Sequence, residues 1–389
     1  MRRLLCALLL CLAALPALAQ QSPIIVGAVL SLSGNLADLA ADLRKALLLW
    51  QEEVNEAGGL LGRRVELQLL DDQSEATSTG RLYEHLVRNK VDVLIGPLGS
   101  AASMGAASAA ERGRRVLINA TGSSRSAQRV GYRYTFQVPA PLATYATGAF
   151  ELARNLGIKR LSLHARDDPT AREMATRARD EALKQGFVPG EVEIYAADSD
   201  DFLPQAKRAQ ADGAEAWIAF GLPQDAAEMV KSLRKLRFAP RLFVAQGASD
   251  PDFIKRVGQD AENVIGILPY DRRAAMPANR RFVDAFTKKW SAEPSQSAAE
   301  GYTAGKVLEE GVRRAGSLEP EKLREALAAL EMETPLGQYK VDRDGVQQGV
   351  RPLLTQIQRG RRVVIWPEAL AGAKPVLPYP AWDTRKPLK

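Results

Sequence analysis

The stretch Val91–Ser124, VDVLIGPLGSAASMGAASAAERGRRVLINATGSS, decides how the rest of the chain is read. An apolar run, Val91–Ile95, enters a Gly/Pro/Ser loop and then a helix of small residues. A second apolar run, Val116–Ile118, opens into another Gly/Ser loop. Short apolar runs closed by Gly and Pro fit strands buried on both faces of a parallel sheet. In open α/β sheets, ligands lie beyond the carboxyl ends of the strands. Here successive strand ends carry the same chemistry, Leu98-Gly99-Ser100 and Thr121-Gly122-Ser123. Glycine lets a ligand approach the backbone, and hydroxyls beside free N–H groups at a helix start suit a carboxylate or another anion. Plain turns, with Ser100 or Ser103 as a helix N-cap, account for the same residues. The repetition at successive strands tips the reading toward a site.

Outward from this stretch the pattern repeats. Upstream, Ile24–Leu32 reads as a strand, Leu36–Glu56 as an amphipathic helix stopped by Gly58-Gly59, Val65–Leu70 as a strand and Thr77–Lys90 as a helix. The resulting β-α-β-α-β-α-β order demands right-handed crossovers and a doubly wound sheet. Downstream, Phe136–Pro139 reads as a crossing point, after which the rhythm restarts. Strands are expected at Leu161–His164, Val192–Ala196, Ala216–Phe220, Leu242–Ala245 and Val264–Leu268, separated by helices. Pro269-Tyr270-Asp271 is a second crossing. Helices at Pro277–Trp290, Ala298–Arg314 and Pro320–Leu330 precede late strands at Gly337–Val341 and Leu353–Gln358, and a Pro-rich end from Pro367. Two similar β/α halves suggest two similar lobes with a cleft between them.

Composition bounds the rest. Residues 1–19 combine Arg2-Arg3, the apolar Leu4–Leu15 and Ala17-Leu18-Ala19, the layout of a cleavable secretory signal peptide. The apolar run is shorter than the ~20 residues a membrane span needs. Both cysteines, Cys6 and Cys11, fall inside it, so the mature chain has no disulfide and depends on its core. Removing Arg2 and Arg3 lowers the formal charge from +7 to +5, with basic residues interleaved among acids as on solvated faces. Nucleic-acid binding wants a denser basic stripe with aromatic platforms. No later run is long and apolar enough for direct membrane insertion.

At this point the chain resembles the periplasmic substrate-binding proteins of branched-chain amino acid ABC transporters. The residues that carry the resemblance are Ile25-Val26-Gly27, Ser31–Gly34, the segment Val54–Leu67 (VNEAGGLLGRRVEL), Asp71-Asp72, Ile95-Gly96-Pro97 and Thr121–Ser124. The resemblance implies a type I periplasmic-binding fold: α/β, two similar doubly wound parallel-sheet lobes joined by a three-crossover hinge, with crossings near Val138, Tyr270 and Val341. It divides the mature chain into lobe 1, residues 20–138 plus 271–340, and lobe 2, residues 139–270 plus 341–389. It implies that a ligand carboxylate is held by Leu98, Gly99 and Ser100 and by Thr121, Gly122 and Ser123, with Asp168, Leu222 and Gln246 setting specificity from the second lobe. Family members that bind aliphatic amino acids carry aromatics where this chain has Leu39, Pro169 and Leu222, and an acid where it has Gln246. A buried ammonium without a carboxylate partner costs several kcal/mol. Asp167 or Asp168 could supply that charge, or could cap the helix beginning at Thr170.

The implied function is capture of a small polar or carboxylate-bearing solute, without cofactor, and its delivery in the periplasm to the membrane permease of an ABC transporter. Relatives found beside quinoprotein (PQQ-dependent) alcohol-oxidation systems, and non-transport sensors, give the alternative. Enzyme chemistry is not expected. His164 ends a strand read as facing the cleft, but no orienting acid or Gly-x-Ser-x-Gly turn accompanies it; His85 reads as a helix-surface residue. No metal-ligand spacing is present: Asp198–Asp201 lacks the Gly and distal Glu of a calcium loop. Gly58–Gly62 lacks the Lys-Ser/Thr of a phosphate loop. Trp50 and Trp217 sit at apolar-spaced positions and read as core.

Overall fold

The computed structural model describes residues 22–385, so the signal segment and both cysteines lie outside the described residues. The first lobe follows the expected alternation: β1 (Ile24–Leu30), α1 (Ala37–Glu56), β2 (Val65–Asp71), α2 (Ala76–Arg88), β3 (Val93–Gly96), α3 (Ser100–Gly113), β4 (Leu117–Asn119), the short α4 (Ser126–Arg129) and β5 (Thr135–Gln137). The strands pair in parallel in the order β2-β1-β3-β4-β5. Phe136 and Gln137, read from sequence as a crossing, are therefore the fifth strand, and the chain leaves the lobe just after them.

The second lobe repeats the plan with α5 (Thr147–Asn155), β6 (Arg160–Arg166), α6 (Pro169–Lys184), β7 (Val188–Tyr195), α7 (Leu203–Ala211), β8 (Ala216–Phe220), α8 (Pro223–Leu236), β9 (Leu242–Ala245), α9 (Pro251–Val257) and β10 (Ile265–Leu268). Its parallel part runs β7-β6-β8-β9-β10, the same winding as the first sheet. The chain then supplies α10 (Pro277–Trp290), α11 (Gln296–Ala315) and α12 (Pro320–Ala328), and the hairpin β11 (Glu331–Thr334) and β12 (Gly337–Lys340). Helix α11 packs on α1, where the buried Trp50 indole donates to Glu309 at 3.2 Å. The last strands, β13 (Leu353–Gln358) and β14 (Arg361–Trp366), add antiparallel to the edge of the second sheet. That sheet is thus mixed rather than purely parallel. Arg361 and Arg362 begin its edge strand.

The crossing segments are bonded to one another. Gln347 donates to the carbonyl of Val138 at 3.1 Å, and the N–H of Gln137 donates to Gly345 at 2.9 Å. At the crossing near Tyr270, its hydroxyl donates to Asn279, whose amide returns to the carbonyls of Asp271 and Ala274. Backbone polar groups that would otherwise be stranded between lobes are satisfied here.

His164 is the main departure. Rather than facing the cleft, it lies on the sheet face covered by α7 and α8, fully buried and stacked on Trp217 with ring centroids 3.6 Å apart. One ring nitrogen meets Ser162 Oγ at 2.8 Å, while Nδ1 has no hydrogen-bond partner among the described residues. Burial, aided by the charge of Arg208, pushes its pKa from 6.5 down to about 3. The folded value lies below the unfolded one, so the neutral ring's contribution is fully present above pH 6.5 and is lost as pH falls toward 3. Chemical denaturation should show stability falling by up to about 1.4 kcal/mol per pH unit from this residue below pH 6. His164→Phe should flatten that slope. An unchanged slope would contradict the neutral buried ring.

Candidate functional site

Two loops of the first lobe meet at one hydroxyl. Ser100 is the first residue of α3, and its Oγ accepts the backbone N–H of Ser123 at 3.1 Å and of Ser124 at 3.2 Å. Having accepted twice, the hydroxyl still has its own proton to donate. Gly99, ahead of it, takes φ +81°, a conformation natural to glycine. Its N–H donates to Thr121 Oγ1 at 2.5 Å, and the Thr121 hydroxyl donates to the Pro97 carbonyl at 3.0 Å. Leu98 is half-buried against the core below. Under the second loop, the Asn119 side chain accepts from the Gly122 N–H at 3.0 Å, and Gln137 donates to the Gly122 carbonyl at 2.8 Å. A Cβ on Gly122 would lie 2.1 Å from Ser103 Oγ, so this close pass admits only glycine.

Two sequence expectations change in detail. Neither serine caps α3: the cap position is Gly99, and Ser103 turns back to the Gly99 carbonyl at 2.8 Å. The N–H groups of Gly122 and Ser123, expected to hold an anion, are already engaged by Asn119 and Ser100. The donors left at this surface are the Ser100 hydroxyl and the first-turn amides of α3, which have no partner within their own helix.

The second lobe presents the loops after β6, β8 and β9. Asp168 Oδ1 accepts from Thr170 and Ala171 at 3.0 and 2.9 Å, so its carboxylate caps α6. Asp167 pairs with Arg172 at 2.7 Å, which holds its carboxyl below the usual range. Leu222 is 45% exposed, and Gly247 packs against its carbonyl, which brings Gln246 beside it. A buried ion pair fixes this rim. Asp225 accepts from Arg166 at 2.9 Å, from the Leu222 N–H at 2.8 Å and from the Tyr195 hydroxyl at 3.2 Å. On the first lobe, Leu39 in the opening turn of α1 is 56% exposed, a second large apolar side chain at a strand-end rim.

The lobes touch beside the serine loop. Glu173 of α6 accepts from Arg129 at 3.0 Å and from Ser124 Oγ at 3.5 Å. This clasp was not legible in the sequence, because it joins residues far apart in the chain on surfaces with ordinary charge patterning. Behind the loop, the N–H of Leu142 donates to the Ser123 carbonyl at 3.2 Å, beside the buried Tyr145. Burial pushes up the pKa of the Tyr145 hydroxyl, and the carboxyl of Glu300 on α11 adds to the rise. Glu300 is 4% exposed and bonded by the Gln296 amide at 2.8 Å; burial pushes its pKa from 4.5 up to about 8. An acid inside the small-residue run Ser297–Gly301 was the available sequence signal for it. Among the described residues, no group of three His, Cys, Asp or Glu side chains could hold a metal, and no helix is long and apolar enough to cross a membrane.

A parallel-sheet pair whose strand-end loops face one another across bonded crossings is the architecture of a protein that binds a solute between lobes. The chain belongs to the family described as periplasmic binding protein, whose profile matches residues 23–360, a family of binders rather than enzymes. It is a distant member of the branched-chain amino acid transporter group. It is 22% identical to the leucine-, isoleucine-, valine-, threonine- and alanine-binding protein of Pseudomonas aeruginosa, over 80% of this chain and 84% of that one. Its fold is similar to the substrate-binding protein of Desulfitobacterium hafniense in complex with Leu (21% identity, TM-score 0.72, covering 88% of this chain and 100% of that one). It is also similar to a solute-binding protein of R. palustris in complex with benzoate (19% identity, TM-score 0.67, covering 91% and 98%).

Two outcomes are expected. Glu173→Gln should speed ligand release about two- to five-fold, with the difference shrinking in high salt, because Arg129 is half exposed and such pairs contribute under about 1 kcal/mol; stopped-flow dissociation at two ionic strengths reads this. For Glu300, the folded pKa lies above the unfolded one, so its stabilising protonated form is fully present below pH 4.5 and its contribution is lost as pH rises through 8. Glu300→Gln should therefore remove a decline of up to about 1.4 kcal/mol per pH unit between pH 5 and 8 and melt higher than wild type at pH 8.

Proposed function

We propose that this protein is a periplasmic receptor that captures a small carboxylate-bearing solute between its lobes and presents it to the permease of an ABC transporter. The observation that carries this reading is the Ser100 hydroxyl, held by two backbone N–H groups at the start of α3 with its own proton free to donate. A helix N-terminus beside a fixed donor favours a carboxylate. Leu98, Gly99, Thr121, Gly122 and Ser123 shape that end of the cleft, and Leu222 and Gln246 contact the rest of the solute. Asp168, occupied as a helix cap, helps place the rim. The relatives' ligands, leucine, isoleucine, valine, threonine and alanine for one and benzoate for another, have the carboxylate as their common polar group, which is the part this reading assigns to the first lobe. The signal-like residues 1–19 support export, and the family supports the permease as partner.

The test is a thermal-shift screen of the mature chain against amino acids, their keto and hydroxy acids, aromatic acids, and short alcohols and aldehydes. A ligand at a hundred times its dissociation constant adds about 2.7 kcal/mol of stability, which is readily seen. A carboxylate is expected to score, and Ser100→Ala to weaken it at least about ten-fold, the loss of one hydrogen bond to a charged group. Hits confined to alcohols or aldehydes, or an unaltered affinity in Ser100→Ala, would refute the carboxylate anchor.

A further inference from the structure

The charges at the carboxyl end of the second sheet, the end where open α/β sheets take their ligands, are unevenly used. In the loops after β6, β9 and β10 the carboxylates already have donors. Asp168 caps α6, and Asp167 pairs with Arg172 at 2.7 Å. Asp250 accepts from the Asp252 N–H at 2.8 Å, and Asp271 accepts from Arg273 at 3.1 and 3.2 Å. After β8, Asp225 accepts from Arg166, Leu222 and Tyr195. An ammonium arriving here meets occupied carboxylates, and beside Leu222 it meets Gln246, a neutral amide.

Arg166 is the opposite case. It ends β6, and its side chain is 15% exposed. A guanidinium offers several N–H groups and no acceptor. Among the described residues one nitrogen, Nη1, is bonded, to Asp225 at 2.9 Å, and none of the others is sealed from solvent without a partner. Arg362, whose side chain also reaches this end of the sheet, is closed off: Nη1 bonds the Ser249 carbonyl, Nη2 lies 3.5 Å from Asp271, and Nε is buried. Because Asp225 bonds both Arg166 and the Leu222 N–H, the guanidinium is held next to the Leu222 loop. The backbone passes close over this pair at Gly221, where a Cβ would lie 2.1 Å from the Tyr195 hydroxyl and 2.6 Å from Asp225 Oδ2. Residue 221 therefore contributes no side chain to cover it. A guanidinium fixed in this way loses little freedom on binding, favours acceptor oxygens and opposes a second cation.

Building on the carboxylate-anchor reading, we propose that Arg166 donates to a second oxygen of the solute, so that the cleft selects carboxylic acids bearing a further carbonyl, hydroxyl or carboxylate oxygen over amino acids. Ser100 holds the carboxylate from the first lobe, and Arg166 takes the other oxygen from the second as the lobes close. The smallest members of this class are the 2-oxo acids. In them an acceptor oxygen stands where an amino acid has its ammonium, and the repulsion between that ammonium and the guanidinium disappears.

The experiment is isothermal titration calorimetry of the mature chain with matched probes. One set is L-leucine, 4-methyl-2-oxopentanoate and 4-methylpentanoate; a second is L-phenylalanine, 3-phenyl-2-oxopropanoate and 3-phenylpropanoate. Pentanedioate against pentanoate tests an acceptor further along the solute. In at least one set the oxygen-bearing acid should bind about ten-fold or more tighter than the plain acid, with the amino acid weaker than its 2-oxo counterpart. Arg166→Gln alone strands the Asp225 charge, so the variant is Arg166→Gln with Asp225→Asn, which removes both charges together and is checked by its melting curve. It should weaken the oxygen-bearing acid about ten-fold and leave the plain acid within a few-fold. Should that pair of changes prevent folding, Arg166→Lys, which keeps the ion pair and loses the fork, should show the same selective loss in smaller degree. An amino acid bound tighter than its 2-oxo counterpart, no preference for oxygen-bearing over plain acids, or equal weakening of both in the variant would overturn the assignment, while binding of the plain acids leaves the carboxylate anchor standing. Silence from every probe would overturn it too. If benzoate and other carboxylates are silent as well, the anchor reading itself falls.

Discussion

The N–H groups of Ser123 and Ser124 converge on the Ser100 hydroxyl oxygen, and the rest of the candidate site depends on that junction. It ties the loop after β4 to the start of α3 and so fixes the two strand ends relative to each other. It also sets the direction of the one donor the hydroxyl has left. On one side Ser124 and Arg129 are carried against Glu173 of the other lobe. On the other, the Ser123 carbonyl accepts the N–H of Leu142 in the segment that leaves the first lobe. The small side chains in this region follow from the same junction. With Ser103 Oγ so near, Gly122 has no room for a Cβ, and a bulkier residue would push the second loop off Ser100.

The charges of the two lobes are placed according to how firmly each contact must hold. Arg166 and Asp225 are largely removed from water, and Asp225 also accepts from the Leu222 backbone and from Tyr195. Breaking such a pair from one side leaves a buried charge without a partner, a loss of about 3–5 kcal/mol. The rim of the second lobe is thereby a fixed surface. The clasp between Glu173 and Arg129 is half exposed and screened by solvent. It holds the lobes together weakly enough to be released by thermal motion. A rigid rim on each lobe and a weak contact between them is the combination that hinge closure requires.

The order of strands and helices was legible because the apolar runs are short, closed by Gly or Pro, and separated by amphipathic stretches. The repeat of that rhythm after Val138 matches the shared winding of the two sheets. The elements missed were those whose sequence carries little periodicity. Thr135–Gln137 has too few residues to show alternation, and Arg361–Trp366 opens on two arginines that mask an edge strand. The serine and glycine loops were found because their chemistry is local. The clasp and the Arg166–Asp225 pair join residues from different lobes or distant elements, and no local pattern announces them. His164 was misplaced for a related reason: a strand shows which residues alternate, but not which face its neighbours cover.

His164 and Glu300 show how similar burial leads to different conclusions. Each is a titratable group held in its neutral form by loss of water, the histidine with its pKa lowered and the glutamate with its pKa raised. His164 is closed in by Trp217 and the helices over it, far from the serine loops in the topology, and its neutral ring serves as packing with one hydrogen bond. A ligand has no route to it that leaves the core intact. Glu300 lies instead on α11, the helix packed on α1, where the Gln296 amide donates to it at 2.8 Å. The same loss of water therefore moves the two groups in opposite directions while leaving both neutral. What separates them is how the neutral state is completed, by stacking on Trp217 and a hydroxyl for the imidazole and by a single side-chain amide for the acid.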